Sequence, residues 1–337
     1  MKAGPLLLVV SALALTAVAL GSLVYQGNLP YRGFTGDGVV LVIDPGKSAR
    51  ASALQLQKAG VIRSALAFRL LMRLRGAEEK ILAGEYRFED MATPSQVLDR
   101  LVRGDVVRHK LTIPEGFRLD EIARVAGASG LADGAAFARA AGAGARLIAD
   151  LDPEARDLEG YLFPDTYQFP RGLAEDRMVA EMVERFRQEL TPDRLERMRA
   201  MGLTLRQMVT LASLVEEEAR LDEERPRIAA VFHNRLKLGM PLQCDPTVVY
   251  ALVKDGRYRG DIYRSDLAYA SPYNTYATRG LPPGPICSPG EKSIEAVLVP
   301  AETHYLYFVA RGEGRHTFSE TFAQHNEAIH RLHASQP

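Results

Sequence analysis

Leu6 to Val24 is a 19-residue apolar run, and no charged residue occurs between Ala3 and Tyr31. A helix rises about 1.5 Å per residue, so a run of this length matches the roughly 30 Å hydrocarbon core of a bilayer. No other stretch restricts the chain so strongly, because everything after it must fold on one side of a membrane. Residues 1–5, with Lys2, read as a short cytoplasmic tail, 6–25 as a transmembrane helix and 26–38, rich in Gly and polar residues, as a linker. Ala12, Ala14, Ala17 and Ala19 would also suit a cleavable signal peptide. The run exceeds a usual signal core, which favours a retained single-pass anchor with the body outside.

The full chain has 47% hydrophobic and 25% charged residues, an ordinary globular composition, and is long enough for two or three domains. Lys plus Arg and Asp plus Glu are 42 each, without a basic stripe, which argues against a nucleic-acid partner. The two cysteines, Cys244 and Cys287, lie in the proline-rich turns PLQCDPT and GPICSPG and are consistent either with one disulfide or with two free thiols. They lack the spacing and histidine partners of a zinc site, and no HExxH, P-loop or GxGxxG occurs. Neither a metal nor an organic cofactor is expected.

After the linker, VVLVIDPGKSARASALQLQKAGVI reads as a strand, a turn and a helix ending near Gly60. KLTIPEGFRLDEIARVAGASGL repeats that order. Leu41/Leu111, Ile43/Ile113, Gly46/Gly116, Ala53/Ala123 and Gly60/Gly130 all lie 70 positions apart, which suggests two related small units. Between them fall a helix (65–74), a strand (84–88) and a helix from Pro94 capped by Thr93. DLEGYLFPDTYQFP, at 157–170, reads as a hinge, and from Ala174 the chain turns strongly helical.

Thr204 with Gln207 forms a capping-box start for TLRQMVTLASLVEEEAR. At roughly 100° per residue from Leu205, Glu216 projects at about 20°, inside the fan of Met208, Val209, Ala212, Val215 and Ala219. Glu217, at about 120°, and Glu218, at about 220°, fall outside it. A carboxyl held against apolar walls loses solvation of its charged form and can stay protonated, as a general acid must. A buried glutamate paired with an arginine would give the same pattern, and both readings stay open here. On the helix opened by Pro226, Arg235 shares the apolar stripe of Ile228, Val231 and Phe232, so it either snorkels or meets a carboxylate. Asp245-Pro246 reads as a helix cap. The SPYNTY turn concentrates aromatic faces and hydrogen-bonding groups that suit flat sugar rings or a tight packed loop. THYLYFVARGEGRHTF is a hairpin, and a lone histidine such as His316 is ordinarily structural.

ASLVEEEA, VFHNRL, LQCDPTVVYAL, SPYNTY, GLPPGPI, YLYFVARGEGRHTF and a final HN follow one another in this order, preceded by IPEG and LEGYLFPDTY. Together they resemble the YceG-like family of membrane-anchored endolytic murein transglycosylases. The resemblance implies an α+β protein of the bacterial cytoplasmic membrane with a LysM-like glycan-binding module, expected over 39–156, and a mainly helical catalytic domain with a β-hairpin, expected over 157–337. It implies cleavage of nascent peptidoglycan strands between MurNAc and GlcNAc with 1,6-anhydro ends, and peptidoglycan synthases as partners. The family's acid, taken as the first of its VE-x-E motif, corresponds to Glu216. Arg235, Gln243, Asp245, Tyr273, Asn274, Tyr276, His316 and Phe318 are the candidates for holding sugar. Cys244 stands where Thr or Ser is usual and Cys287 where Ala is common. The competing readings are a hydrolytic muramidase, with Asp245 or Glu218 as second carboxylate, and a non-enzymatic peptidoglycan-binding scaffold.

Overall fold

The computed structural model describes residues 28–334 and, before them, residues 10, 11, 14–16, 18, 21, 22 and 25. Most of the expected span at 6–25 lies outside the described residues. Among those described, no helix is long and apolar enough to cross a membrane.

The chain forms two compact units, one running to His109 with Gln168–Gly172, the other made of Lys110–Tyr167 and the chain from Leu173 onward. The boundary expected at 156/157 therefore lies inside the second unit.

In the first unit, Val39–Ile43 pairs antiparallel with Gly84–Phe88, with Leu41 opposite Tyr86. Alternation explains the pairing. Leu41 and Ile43 point into the core while Val40 and Val42 face out, as period-two geometry requires. Helices Ala49–Lys58 and Ala65–Leu74 connect the two strands, and Pro94–Arg103 follows them. They bury Leu56, Phe68, Met72, Val97, Leu98 and Leu101 against Tyr86 and Phe88. Each such side chain contributes about 1.5–3 kcal/mol when removed from water. Thr93 caps the last helix through a reciprocal box with Gln96.

The repeat inferred at an offset of 70 has a structural counterpart. Helix Ala49–Lys58 is matched by Leu119–Ala128, and both copies start from a strand, Val39–Ile43 and Arg108–Thr112. Gly46 and Gly116 have φ of 75° and 78°, and Gly60 and Gly130 have 71° and 69°, left-handed values that glycine tolerates without a Cβ clash. The second copy continues with Gly134–Gly142 and Thr166–Pro170, and the latter joins Arg108–Thr112 in a two-stranded sheet.

The second unit is built around Leu205–Glu218, which packs on Arg225–Lys237, Asp245–Lys254 and Glu291–Leu298. The Thr204–Gln207 capping box forms as the sequence indicates, with bonds of 2.9 and 3.2 Å. Every residue from Met208 to Val215 is buried. The helix thus has no solvent-facing side for most of its length, which defeats an argument from angular projection. Glu175–Glu189 and Pro192–Ala200 precede it. The hairpin pairs Tyr307–Gly312 with Arg315–Ser319 around Glu313 and Gly314, whose φ values of 53° and 71° are those of a type I′ turn.

Candidate active site

The three glutamates at the end of Leu205–Glu218 have different environments. Glu216 accepts from Arg225 Nη1 at 3.0 Å through Oε1 and from the Gly290 amide at 3.0 Å through Oε2. Its side chain is 6% exposed and that of Arg225 is 8% exposed. This is the arginine-paired alternative: the groups that meet the Glu216 carboxyl are a guanidinium and an amide, not the apolar walls the projection suggested. Arg225 also donates to Asp222 at 3.2 Å and to Ser293. The Glu115 carboxyl lies against the Cα of Gly290, where a Cβ would displace it. Gly116, of the same IPEG turn, bonds the Ser288 carbonyl at 2.9 Å and so seats that turn beside Glu216 and Glu217.

Glu218 ends the helix and is half-buried. Desolvation pushes its carboxyl up to about 7, Asp245 and Glu217 add to the rise, and a hydrogen bond from the Cys244 thiol opposes it. The carboxyl end of a helix, with its unpaired carbonyls, is itself a poor place for a negative charge. Glu217 is more open and is also raised by desolvation, against a hydrogen bond from Cys287. Both cysteines are buried and free, so no disulfide joins them.

Around Glu218 stand Cys244, Asp245, Tyr276 and Arg235, each coupled electrostatically to its neighbours. Tyr276 donates to Asp245 Oδ1 at 2.5 Å. Asp245 is the first residue of its helix and does not cap it; Cys244 occupies the cap position, with no side-chain bond. Cys244 is fixed by its amide on Thr275 Oγ1 at 2.9 Å and by its carbonyl accepting from Thr247 at 2.6 Å. Gln243 is exposed at φ 50°, a left-handed conformation that costs a non-glycine residue on the order of 1–2 kcal/mol. Arg235 holds that turn. It donates to the carbonyls of Leu242 at 2.7 Å and Leu306 at 2.6 Å, reaches Gln243 Oε1 at 3.5 Å, and lies over Tyr307 at 5.2 Å. It neither snorkels nor pairs with a carboxylate, because backbone oxygens supply its acceptors.

Three other expected sugar ligands are structural. Asn274 is completely buried and bonds the carbonyls of Leu267 and Tyr269 and the Tyr276 amide. His316 pairs with buried Glu224 at 2.8 Å through Nδ1. Phe318 is packed between Tyr305 and Phe308 with Arg227 over its ring. Tyr273 packs on Tyr250, with ring centres 4.8 Å apart. The arrangement around Glu218 can deliver a proton near neutral pH and then hold the resulting charge. Sequence reasoning named Glu218 only as a second carboxylate of the muramidase reading and did not single out Arg225. The usable signal was the absence of any charge between Arg206 and Glu216, which marks a helix buried all round.

The model of the YceG-like family matches residues 41–331. An endolytic murein transglycosylase of Bacillus subtilis (strain 168) is 35% identical over 312 residues, covering 85% of this chain and 82% of that protein. One from Streptococcus pneumoniae serotype 2 (strain D39 / NCTC 7466) is 30% identical over 319 residues, covering 86% of this chain and 58% of the longer relative. A crystal structure of a yceG-like protein from Listeria monocytogenes superposes with a TM-score of 0.59 at 31% identity, covering 87% of this chain and 99% of that one.

Proposed function

The chain belongs to the YceG-like family, and from that membership and the site geometry we propose that it is an endolytic murein transglycosylase that cuts glycan strands between MurNAc and GlcNAc. One observation carries the reading. Glu218 is a half-buried carboxyl with its pKa raised to about 7, hydrogen-bonded by the Cys244 thiol beside Asp245.

We assign the acid to Glu218 in place of Glu216. Protonated Glu218 gives its proton to the glycosidic oxygen as the C1–O bond breaks. Its carboxylate then takes the proton of the MurNAc 6-hydroxyl as O6 bonds to C1. The proton returns to the carboxyl, no water is consumed and the new end is a 1,6-anhydro sugar. One carboxyl serves both steps, whereas hydrolases of glycosides ordinarily need two. Asp245 and Tyr276 line the same turn and are the groups we assign to sugar hydroxyls, with exposed Gln243. Glu216 holds Arg225 and the Gly290 loop in register. The test is mass analysis of the products from uncrosslinked murein. Anhydro-MurNAc ends are expected; reducing MurNAc ends would make the protein a muramidase, with Asp245 as the base for water.

The strand-helix-helix-strand order of the first unit, closed by an antiparallel pair, supports a LysM-like glycan-binding module there, with catalysis in the second unit. The apolar run at 6–25 supports a retained anchor in the cytoplasmic membrane, with peptidoglycan synthases as neighbours in the wall-building complex. Sequencing the mature N-terminus tests the anchor. The intact N-terminus is expected, and a start near residues 20–26 would replace the anchor with a cleaved signal.

A further inference from the structure

We infer that Lys254 and the cavities beside it bind a carboxylate of the peptide stems that murein glycans carry, an inference that rests on the murein reading above. Lys254 is the last residue of the helix that Asp245 begins. Its ammonium lies 5.4 Å from the ring centre of Tyr250 and 5.2 Å from that of Tyr273, two rings tilted 49° to each other. Its one polar contact is the Tyr250 hydroxyl at 3.5 Å, and among the described residues it makes no ion pair. An ammonium bound to a carboxylate is neutralised. One cradled on aromatic faces is held in place with its charge and its donors still available to an incoming anion.

Lys254 is exposed at the end of its helix, and the surroundings of its ammonium form a cavity wall. Lys254 lines two cavities of about 340 and 820 Å³, and Asp157 and Glu159 line both as well. Exposed Arg156 adds a second cation to the larger one, while Arg206 there is tied to Asp152 and the Pro283 carbonyl. Glu159 accepts from the Leu119 amide at 2.9 Å and from Tyr250 at 3.2 Å. Desolvation pushes it up to about 7, so it opposes an anion less than an ordinary carboxylate would. Asp157 remains as the acidic counterpart on the same wall.

A sugar ring is a poor fit to this wall, since the ammonium covers the tyrosine faces on which it would stack. A chain with a free carboxylate and a free amine is a good one. Murein supplies that chemistry on the lactyl group of each MurNAc. Ten residues of helix place Lys254 about 14 Å from Asp245 along one rigid axis. Tyr273, under the ammonium, and Tyr276, bonded to Asp245, belong to a single turn that touches both ends of this helix. A strand seated at Glu218 would meet Lys254 with a stem carried further along it.

The experiment uses the full-length chain in detergent micelles. A free stem peptide is titrated calorimetrically, and kcat/KM is measured on uncrosslinked strands with intact stems and on the same strands stripped by an amidase. Lys254→Met keeps the stem over both rings and should bind the peptide roughly tenfold more weakly, with Lys254→Arg restoring affinity. The ratio of kcat/KM for intact over stripped strands should fall by a similar factor in Lys254→Met. Equal peptide affinity in the native chain and Lys254→Met, no saturable binding at all, or an unchanged ratio would each overturn the inference. If the native chain cleaves neither polymer, the murein reading fails, and the peptide titration still judges Lys254.

Discussion

Glu218→Gln is expected to lower turnover on murein strands by about 10²–10⁴-fold, the range supplied by a positioned general acid, with the fold intact. The amide keeps the shape of the side chain but can neither donate an acidic proton to the leaving oxygen nor recover one from the 6-hydroxyl. The native enzyme should show the same group by titration. Because the protonated form is the reactive one, kcat/KM should fall as pH rises through about 7. Stability follows the same proton. The folded value lies above the ordinary 4.5, so between about 4.5 and about 7 the native state holds a proton that the unfolded chain has lost, and stability declines as pH rises across that window. Glu218→Gln should remove this share of the decline, so its melting temperature at pH 8 should equal or exceed that of the native protein. Retained turnover in Glu218→Gln, measured by release of soluble glycan, would return the acid to Glu216 or Glu217.

The second large effect is on folding. Arg225→Ala should destabilise the second unit by about 3–5 kcal/mol, because it leaves the Glu216 carboxylate buried with only the Gly290 amide as donor. Glu216→Gln should cost less, since Asp222 and Ser293 remain on Arg225. The two glutamates thus separate in a paired experiment of denaturant melts and turnover. Replacement at 218 removes activity at unchanged or higher stability, and replacement at 216 lowers stability first. A Glu216→Gln protein with native stability and no turnover would contradict the assignment made here.

Much of the architecture was legible because its causes are local. The strand at Val39–Ile43, the Thr204 capping box and the hairpin closed at Glu313–Gly314 each depend on a few adjacent residues, and each forms as its sequence indicates. The 70-residue offset was legible for a related reason, since left-handed glycines mark the ends of both copies. The site was less so. Angular projection assumes that a helix has one buried face, and Leu205–Glu218 is enclosed by three other helices. The surroundings of each glutamate then depend on Arg225, Gly290 and Cys244, residues 9, 74 and 26 positions from the glutamates they touch, and no spacing rule links them. Arg235 and Asn274 misled for the same reason. Their side chains satisfy backbone oxygens of loops whose course only the tertiary structure fixes.

The two free thiols bear on how the protein is made. Cys244 and Cys287 are fully enclosed, each against one of the glutamates, and neither needs the other to hold its loop. Assembly of the second unit therefore calls for no oxidative folding step, and the same native packing is reached in a reducing or an oxidising compartment. The enclosure that spares the chain a crosslink also shields both sulfurs from alkylating agents and peroxide for as long as the unit stays folded.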